Sequence, residues 1–322
     1  MNKPDVDVVI ITYNQENLIK ETLDSVISQS YKNIKQIIVS DDGSIDSTAK
    51  IIQDYAYHCS KIKPILSGIN KGISHNVNRG LKHVESEYVC ILGGDDLMHP
   101  QKIEKQVNYL VKNQNLVGCA HDMEVFNSVE GSNLGKFSEI ISFKKIKGEI
   151  SAEMLFEPSL FLCPSSILLK ADVIPKNLFD TRLRYLNDFL FNVDVLMKGN
   201  MGYIDEILGT YRLHGSNVTT DENTKKLAFE DALVAFSIII SRYPQLSSSV
   251  RRRKQALYID HIFKKIKEDN KSHAKMFSKI LMLEGSFFKG ISCYLLSIIL
   301  NKEIIERLYQ NRAISRFFLK FV

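Results

Sequence analysis

The first hundred residues alternate short β-branched runs with amphipathic stretches, and this rhythm constrains the fold more than any other feature of the chain. Val8 to Thr12 reads as a buried strand, after which Leu18, Ile19, Leu23, Val26 and Ile27 fall on one face of a helix. Ile34 to Ser40 is a second strand, Ser47 to Tyr57 a helix with serine at its N-cap, and Ile65 and Leu66 mark a third short strand. Ser74 to His83 is helical, Tyr88 to Leu92 is a further strand, and Pro100 opens a helix to about Asn113. Strand and helix in this order predict an α/β fold, with a parallel sheet wrapped by crossover helices.

In open sheets of this kind ligands bind beyond the carboxyl ends of the strands, and the polar clusters of this chain sit there. Thr12-Tyr13-Asn14 follows the first strand, Asp41-Asp42-Gly43-Ser44 the second, and Gly93-Gly94-Asp95-Asp96 the strand ending at Leu92. Further on, Asn187-Asp188 opens a helix through Met197, followed by Tyr211-Arg212-Leu213-His214. From about Lys225 the pattern is helical, including Arg251 to Lys267 and Ile291 to Phe321, so a boundary is expected near 220, between a domain over 1–220 and a helical region over 221–322.

With 44% hydrophobic and 25% charged residues the chain is neither disordered, collagenous nor a coiled coil. Five scattered cysteines without C-x-x-C spacing argue against a disulfide framework or thiolate metal site and for a reducing compartment. Met1 to Asp7 carries charge where a signal peptide would be apolar, and Ile291 to Leu300 is half the length that spans a bilayer. A cytoplasmic protein, free or on the membrane surface, is expected. Residues 1–224 hold 23 Lys+Arg against 29 Asp+Glu, and residues 225–322 hold 19 against 8, an acidic domain with a basic appendage.

Asp95-Asp96 reads either as a solvated turn before Pro100 or as a site for Mg²⁺ or Mn²⁺, which take one or two carboxylates and complete their shell with phosphate and water. Gly93 and Gly94 would let a diphosphate approach the backbone. His214 could supply an imidazole ligand and Arg212 a bidentate guanidinium to the same diphosphate. Asp188 is either an acid favoured by the helix dipole or a general base. Walker, dinucleotide-binding, H-E-x-x-H and G-x-S-x-G signatures are all missing.

Val8 to Glu16, Val39 to Thr48, Asn70-Lys71-Gly72 and Gly94-Asp95-Asp96, in this order and spacing, resemble the family 2 glycosyltransferases of the GT-A fold, over roughly residues 5 to 215. The resemblance implies a Rossmann-like nucleotide-diphospho-sugar transferase domain with the basic helical region at its C-terminus. It implies a donor site of Thr12, Tyr13, Asn14, Glu16, Asp42, Asn70, Gly72, Asp95 and Arg212, with Asp42 on the base and Asp95 near the ribose. Asp96 would bind the metal. An acidic pair at the head of a later helix supplies the family's base; Asn187-Asp188 keeps the second acid, which singles out Asp188. Tyr211-Arg212-Leu213-His214, with Asn217 beyond, resembles the family's Y-R-x-H segment and implies His214 near the metal and diphosphate. One departure stands out: where the family often reads N-x-G-x-x-x-A-R-N-x-G, Val77 replaces the arginine, before Asn78-Arg79-Gly80.

The implied activity is inverting, metal-dependent hexosyl transfer from a UDP- or GDP-sugar to a glycan acceptor, on a lipid carrier, in bacterial surface polysaccharide synthesis. Two alternatives are a sugar nucleotidyltransferase, which should carry a Gly-rich basic loop where this chain has Tyr13-Asn14-Gln15-Glu16, and a non-catalytic, membrane-associated nucleotide-binding module. The tail, with Arg251-Arg252-Arg253-Lys254 and with Phe287, Phe288, Leu295, Leu296, Ile298, Ile299, Phe317, Phe318 and Phe321 among basic residues, fits helices lying on anionic lipid. The alternative is a basic bundle that closes the acceptor side or forms a homo-oligomer. No nucleic-acid partner is expected, because the tail matches no groove-reading or base-stacking module.

Overall fold

The computed structural model describes residues 3–140, 146, 148–157, 160, 162–215 and 222–300, with side chains of the last stretch from 227 onward. In chain order the elements are β1 (Val6–Thr12), α1 (Ile19–Ile27), β2 (Ile34–Asp41), α2 (Thr48–His58), β3 (Ile62–Leu66), α3 (Ile73–Leu81) and β4 (Tyr88–Gly93). Then come β5 (Leu97–Met98), α4 (Lys102–Lys112), β6 (Gly118–Asn127), β7 (Ser132–Lys136), α5 (Phe137–Ile140), β8 (Glu149–Ile150) and β9 (Leu168–Lys170). The chain continues through α6 (Asn187–Leu196), β10 (Met201–Leu213), α7 (Glu222–Arg242), α8 (Ser247–Lys267), α9 (Lys271–Leu283) and α10 (Phe287–Ile299). The helix expected to run from Ile291 to Phe321 thus occupies Phe287–Ile299 as far as it is described, and Asn217, Phe317, Phe318 and Phe321 lie outside the described residues.

The chain divides into two compact units, Met1–Ser237 and Ile238–Val322. The division falls later than residue 220 because the first half of α7 packs with the first unit. The Asp231 carboxylate accepts the backbone N–H groups of Arg184 and Tyr185, both at 2.7 Å, and the Phe236 ring lies edge-on to Phe189.

The sheet runs β3-β2-β1-β4-β9-β6-β10-β5 and is mixed rather than wholly parallel. β3, β2, β1 and β4 are parallel, β9 is antiparallel to both β4 and β6, and β10 is parallel to β6. Two reversals cancel, so β1, β2, β4, β6 and β10 all point their carboxyl ends to one edge. Val6, Val8 and Ile10 on one face of β1 pack with Ile19, Leu23 and Val26 of α1 in the main core. On the other face α3 lies so close to β1 that a Cβ at Gly80 would sit 2.6 Å from Val9 Cγ1. At the opposite end of β1 the fully buried Asp7 carboxylate accepts from Glu85 N, Ser86 N, Ser86 Oγ and Gln36 Nε2, which ties β1 to the start of β4.

Candidate active site

Three loops meet beyond the ends of β1, β2 and β3. The turn after β1 is stitched to the turn after β2: Asn14 N donates to Ser44 Oγ at 2.8 Å and Asn14 Oδ1 accepts Ile45 N at 2.9 Å. Gln15 N donates to Thr48 Oγ1, Glu16 N to Asp46 Oδ2, and Ser47 N to Glu16 Oε2. Asn14 carries this with a left-handed backbone (φ 51°), a conformation asparagine tolerates better than most residues. The Thr12 hydroxyl donates to Gln15 Oε1 at 2.7 Å, and the Tyr13 ring stands exposed above the rim.

Asp42 organises the third loop. Its buried carboxylate accepts Lys71 N at 3.1 Å and Gly72 N at 2.7 Å, while Asn70 Oδ1 accepts Gly72 N at 2.9 Å. Gly43 (φ 76°) makes room for this loop, since a Cβ there would lie 2.7 Å from the Ile69 carbonyl carbon. Val77, at the departure noted above, is buried in the core, and Arg79 two residues on turns its guanidinium to the Asp41-Asp42 turn. Its Nη2 donates to Asp41 O at 2.9 Å and Asn76 Oδ1 at 2.7 Å and lies 3.4 Å from Asp42 Oδ1.

The end of β4 meets the end of β10. Gly94, just past β4, leaves no room for a side chain, since a Cβ there would lie 2.8 Å from Thr12 Cβ, and a Cβ at Gly93 would press on Asp95 Oδ1 at 2.5 Å. Asp95 Oδ2 faces His214 Nε2 at 2.9 Å, both side chains partly exposed. Asp96 points the other way. Its Oδ2 accepts the Ser165 hydroxyl at 2.5 Å, its Oδ1 accepts Arg212 N at 3.1 Å, and it is buried. Burial, followed by the charge of Asp95, pushes the Asp96 carboxyl up to about 8. The residue that touches His214 is therefore Asp95, not the Asp96 expected as metal partner. Among the described residues no group of three His, Cys, Asp or Glu side chains is arranged to hold a metal ion; Asp95 and His214 face each other as one carboxylate and one imidazole. One carboxylate and one imidazole fit Mg²⁺ or Mn²⁺ that draw their other ligands from phosphate and water.

Arg212, expected on the diphosphate, turns inward instead. Its guanidinium donates to the Asp95 carbonyl, to Leu18 O at 3.1 Å and to Thr22 Oγ1 at 3.2 Å, and pairs with Glu21. Thr22 Oγ1 in turn donates to Gly94 O at 2.9 Å. Arg212 thus clamps the Gly94-Asp95 backbone onto α1, a positioning role that its place beside His214 in the sequence conceals.

Asp188 opens α6, and its Oδ1 accepts Phe189 N at 2.8 Å. The carboxyl lines a small apolar cavity with Val89, Ile91, Pro164 and Phe191, and burial there pushes it up to about 6. The turn Pro164–Ser166 joins the two carboxylates: Pro164 lines the Asp188 cavity, while the Ser165 hydroxyl accepts Gly93 N and donates to Asp96. Ser165 and Thr22 carry no motif in the sequence. Ser165 becomes visible only through Asp96, 69 positions away, and Thr22 through Gly94 and Arg212, 72 and 190 positions away.

A family model described as Glycosyl transferase family 2 matches residues 7–176, more than half of the chain. The chain belongs to glycosyltransferase family 2. This glycosyltransferase is 29% identical over 241 residues to an uncharacterized glycosyltransferase of Haemophilus influenzae, covering 71% of this chain and 74% of that one. It is 38% identical over 125 residues to the putative glycosyltransferase EpsE of Bacillus subtilis, covering 38% and 45%. Among solved structures the glycosyltransferase resembles S. aureus TarS 1–349, with a TM-score of 0.63 at 17% identity, covering 94% of this chain and 91% of that one. It also resembles the mannosyltransferase PcManGT of Pyrobaculum calidifontis in complex with GDP-Man and Mn²⁺, with a TM-score of 0.61 at 13% identity, covering 92% and 88%. These likenesses show the GT-A fold.

Proposed function

We propose that the enzyme transfers a sugar from a nucleoside diphosphate donor to an acceptor hydroxyl with inversion at the anomeric carbon. One observation supports this most directly: the Asp95–His214 pair lies just beyond the end of β4, and Asp188 lines a cavity against Val89 and Ile91 of the same strand. The nucleotide would lie over Thr12, Tyr13, Asn14 and Glu16, with the base toward Asp42 and the Asn70–Gly72 loop, and the diphosphate toward Asp95 and His214. Mg²⁺ or Mn²⁺, held by Asp95 and His214, would neutralise the charge that grows on the departing diphosphate. Asp96, Ser165 and Arg212 hold that pair in place rather than touch the donor.

Asp188 takes the proton of the acceptor hydroxyl as it attacks. A carboxylate with its affinity for protons raised by an apolar wall is a better base than one in water. The hydroxyl oxygen bonds to the anomeric carbon as the bond to the diphosphate oxygen breaks, and the electron pair leaves with the nucleotide. Attack opposite the leaving group inverts the centre without a sugar–enzyme intermediate.

TarS 1–349 is known in complex with UDP-GlcNAc and PcManGT with GDP-Man, which supports a nucleotide-sugar donor here without choosing between UDP and GDP. The acceptor we propose is a glycan on a lipid carrier, as in bacterial surface polysaccharide synthesis, and its apolar carrier suits an enzyme working at the cytoplasmic membrane face. The test is a panel of UDP- and GDP-sugars assayed with and without Mn²⁺ for nucleoside diphosphate release. Release of nucleoside diphosphate that requires the metal is expected. Release of a nucleoside triphosphate once pyrophosphate is added would indicate a nucleotidyltransferase, and donor binding without turnover on any acceptor a non-catalytic module.

A further inference from the structure

The last helix pair of the second unit is packed the wrong way round for a hairpin in water. α10 buries Gly290, Cys293 and Ser297, small residues at helical spacing, while its large apolar side chains face out: Phe288 is 83%, Ile299 68% and Phe287 58% exposed, with Leu295 and Ile298 about half exposed. A helix of a soluble domain presents the opposite arrangement. The inward face is close-packed, since a Cβ at Gly290 would lie 2.8 Å from the Ser278 carbonyl oxygen of α9. At the end of α9, just before the connecting turn, Leu283 is 87% exposed. An exposed set of this size marks an interaction surface.

Charge identifies the occupant. α9 and α10 carry Lys271, Lys275, Lys279 and Lys289 and no acid, and Glu284 in the turn between them is already paired with Lys254 at 2.7 Å. Residues 238–300 together hold twelve Lys and Arg against four Asp and Glu. The Ser292 hydroxyl on the outer side of α10 donates back to the Phe288 carbonyl, so it makes no demand for a directional partner. A protein partner is recognised through matched polar groups around an apolar centre. A bilayer interface asks only for apolar area with cations at headgroup depth. At 13 residues α10 is about 20 Å long, and no described helix is long and apolar enough to cross a membrane.

We propose that the outer face of α10, with Leu283, docks into the interfacial layer of an anionic lipid bilayer, the helix lying along the surface. The inference rests on the second unit alone and not on the reading of the donor site. The test uses the full chain with vesicles of phosphatidylcholine, with and without about one third phosphatidylglycerol, read by co-sedimentation and by hydrogen exchange over α10. Binding to the anionic vesicles, weakened by salt and accompanied by slowed exchange in α10, is expected. Phe288→Ser should weaken it about tenfold and Lys289→Glu about fivefold, both variants keeping the melting temperature and donor binding of the parent. No binding to anionic vesicles at low salt, or binding indifferent to both substitutions, overturns the proposal. Exchange in α10 left unchanged by the anionic vesicles overturns it as well, and sedimentation equilibrium tells whether a second copy occupies the face instead.

Discussion

His214 Nε2 lies 2.9 Å from Asp95 Oδ2, a contact between residues 119 positions apart that closes the end of β10 onto the end of β4. Both groups face the rim, while Asp96 beside them is turned into the protein and held by Ser165 and Arg212. The division of labour between the two adjacent aspartates follows from this. Asp95→Ala and His214→Ala should each weaken Mn²⁺-dependent donor binding at least tenfold with little change in melting temperature. Asp96→Ala should act mainly on stability, by about 1–3 kcal/mol, because it leaves a buried hydroxyl and a buried N–H without their acceptor. Calorimetric titration of donor with and without Mn²⁺ decides; the reverse pattern would return the ion to Asp96.

Asp188→Asn should abolish transfer and leave donor affinity nearly unchanged. Because the base must be ionised and its carboxyl is pushed up to about 6, kcat/KM of the parent should fall tenfold per pH unit below about 6 and level off above it. A profile flat down to pH 4.5 would remove Asp188 from the chemistry.

The same shift makes Asp188 a cost to folding when charged. A carboxyl whose folded value lies above its unfolded one disfavours the ionised native state, so the penalty is complete above about 6 and absent below the unfolded value of 3.8. Asp188→Asn should therefore be more stable than the parent by about 1–2 kcal/mol at pH 8, after allowance for partial exposure, with the difference vanishing near pH 3.5. Urea titrations at the two pH values measure it.

Arg212→Ala removes the donors that hold the Leu18 and Asp95 carbonyls and the partner of Glu21. A loss of about 2–3 kcal/mol is expected. Lysine should not rescue it, since one ammonium cannot reproduce a forked set of contacts. Donor affinity of the folded fraction should change less than for His214→Ala; a larger change would place Arg212 on the diphosphate after all.

Arg79→Ala frees the Asp42 carboxylate on one side and loosens the Asp41-Asp42 turn. The expected effect is a donor KM raised several-fold with kcat nearly constant, the signature of lost ground-state binding. Equal loss in kcat would mean that Arg79 acts on the chemical step.

Much of this protein is legible along the chain because it depends on local pattern. The period-2 and period-3.6 runs up to Asn113 predict β1 to β4 and α1 to α4 within a few residues, and the polar clusters fall at the carboxyl ends of β1, β2 and β4 as read from the sequence. Asp188 at the head of α6 is equally local. What only the tertiary structure decided depends on partners distant in sequence. The short antiparallel strands β5, β7, β8 and β9 make the sheet mixed, and runs of two to five residues have too little period to read. Whether Asp95 or Asp96 faces His214 depends on Ser165 and on the backbone of Arg212, more than 65 positions away. Two neighbouring aspartates look alike in a sequence, but the turn closed by Asp96 N on Gly93 O sends their side chains different ways, and packing against Ser165 selects which one is buried. The reversal of α10 is of the same kind: its composition announces an apolar helix, while the close contact at Gly290 determines that the small residues face inward and the phenylalanines outward.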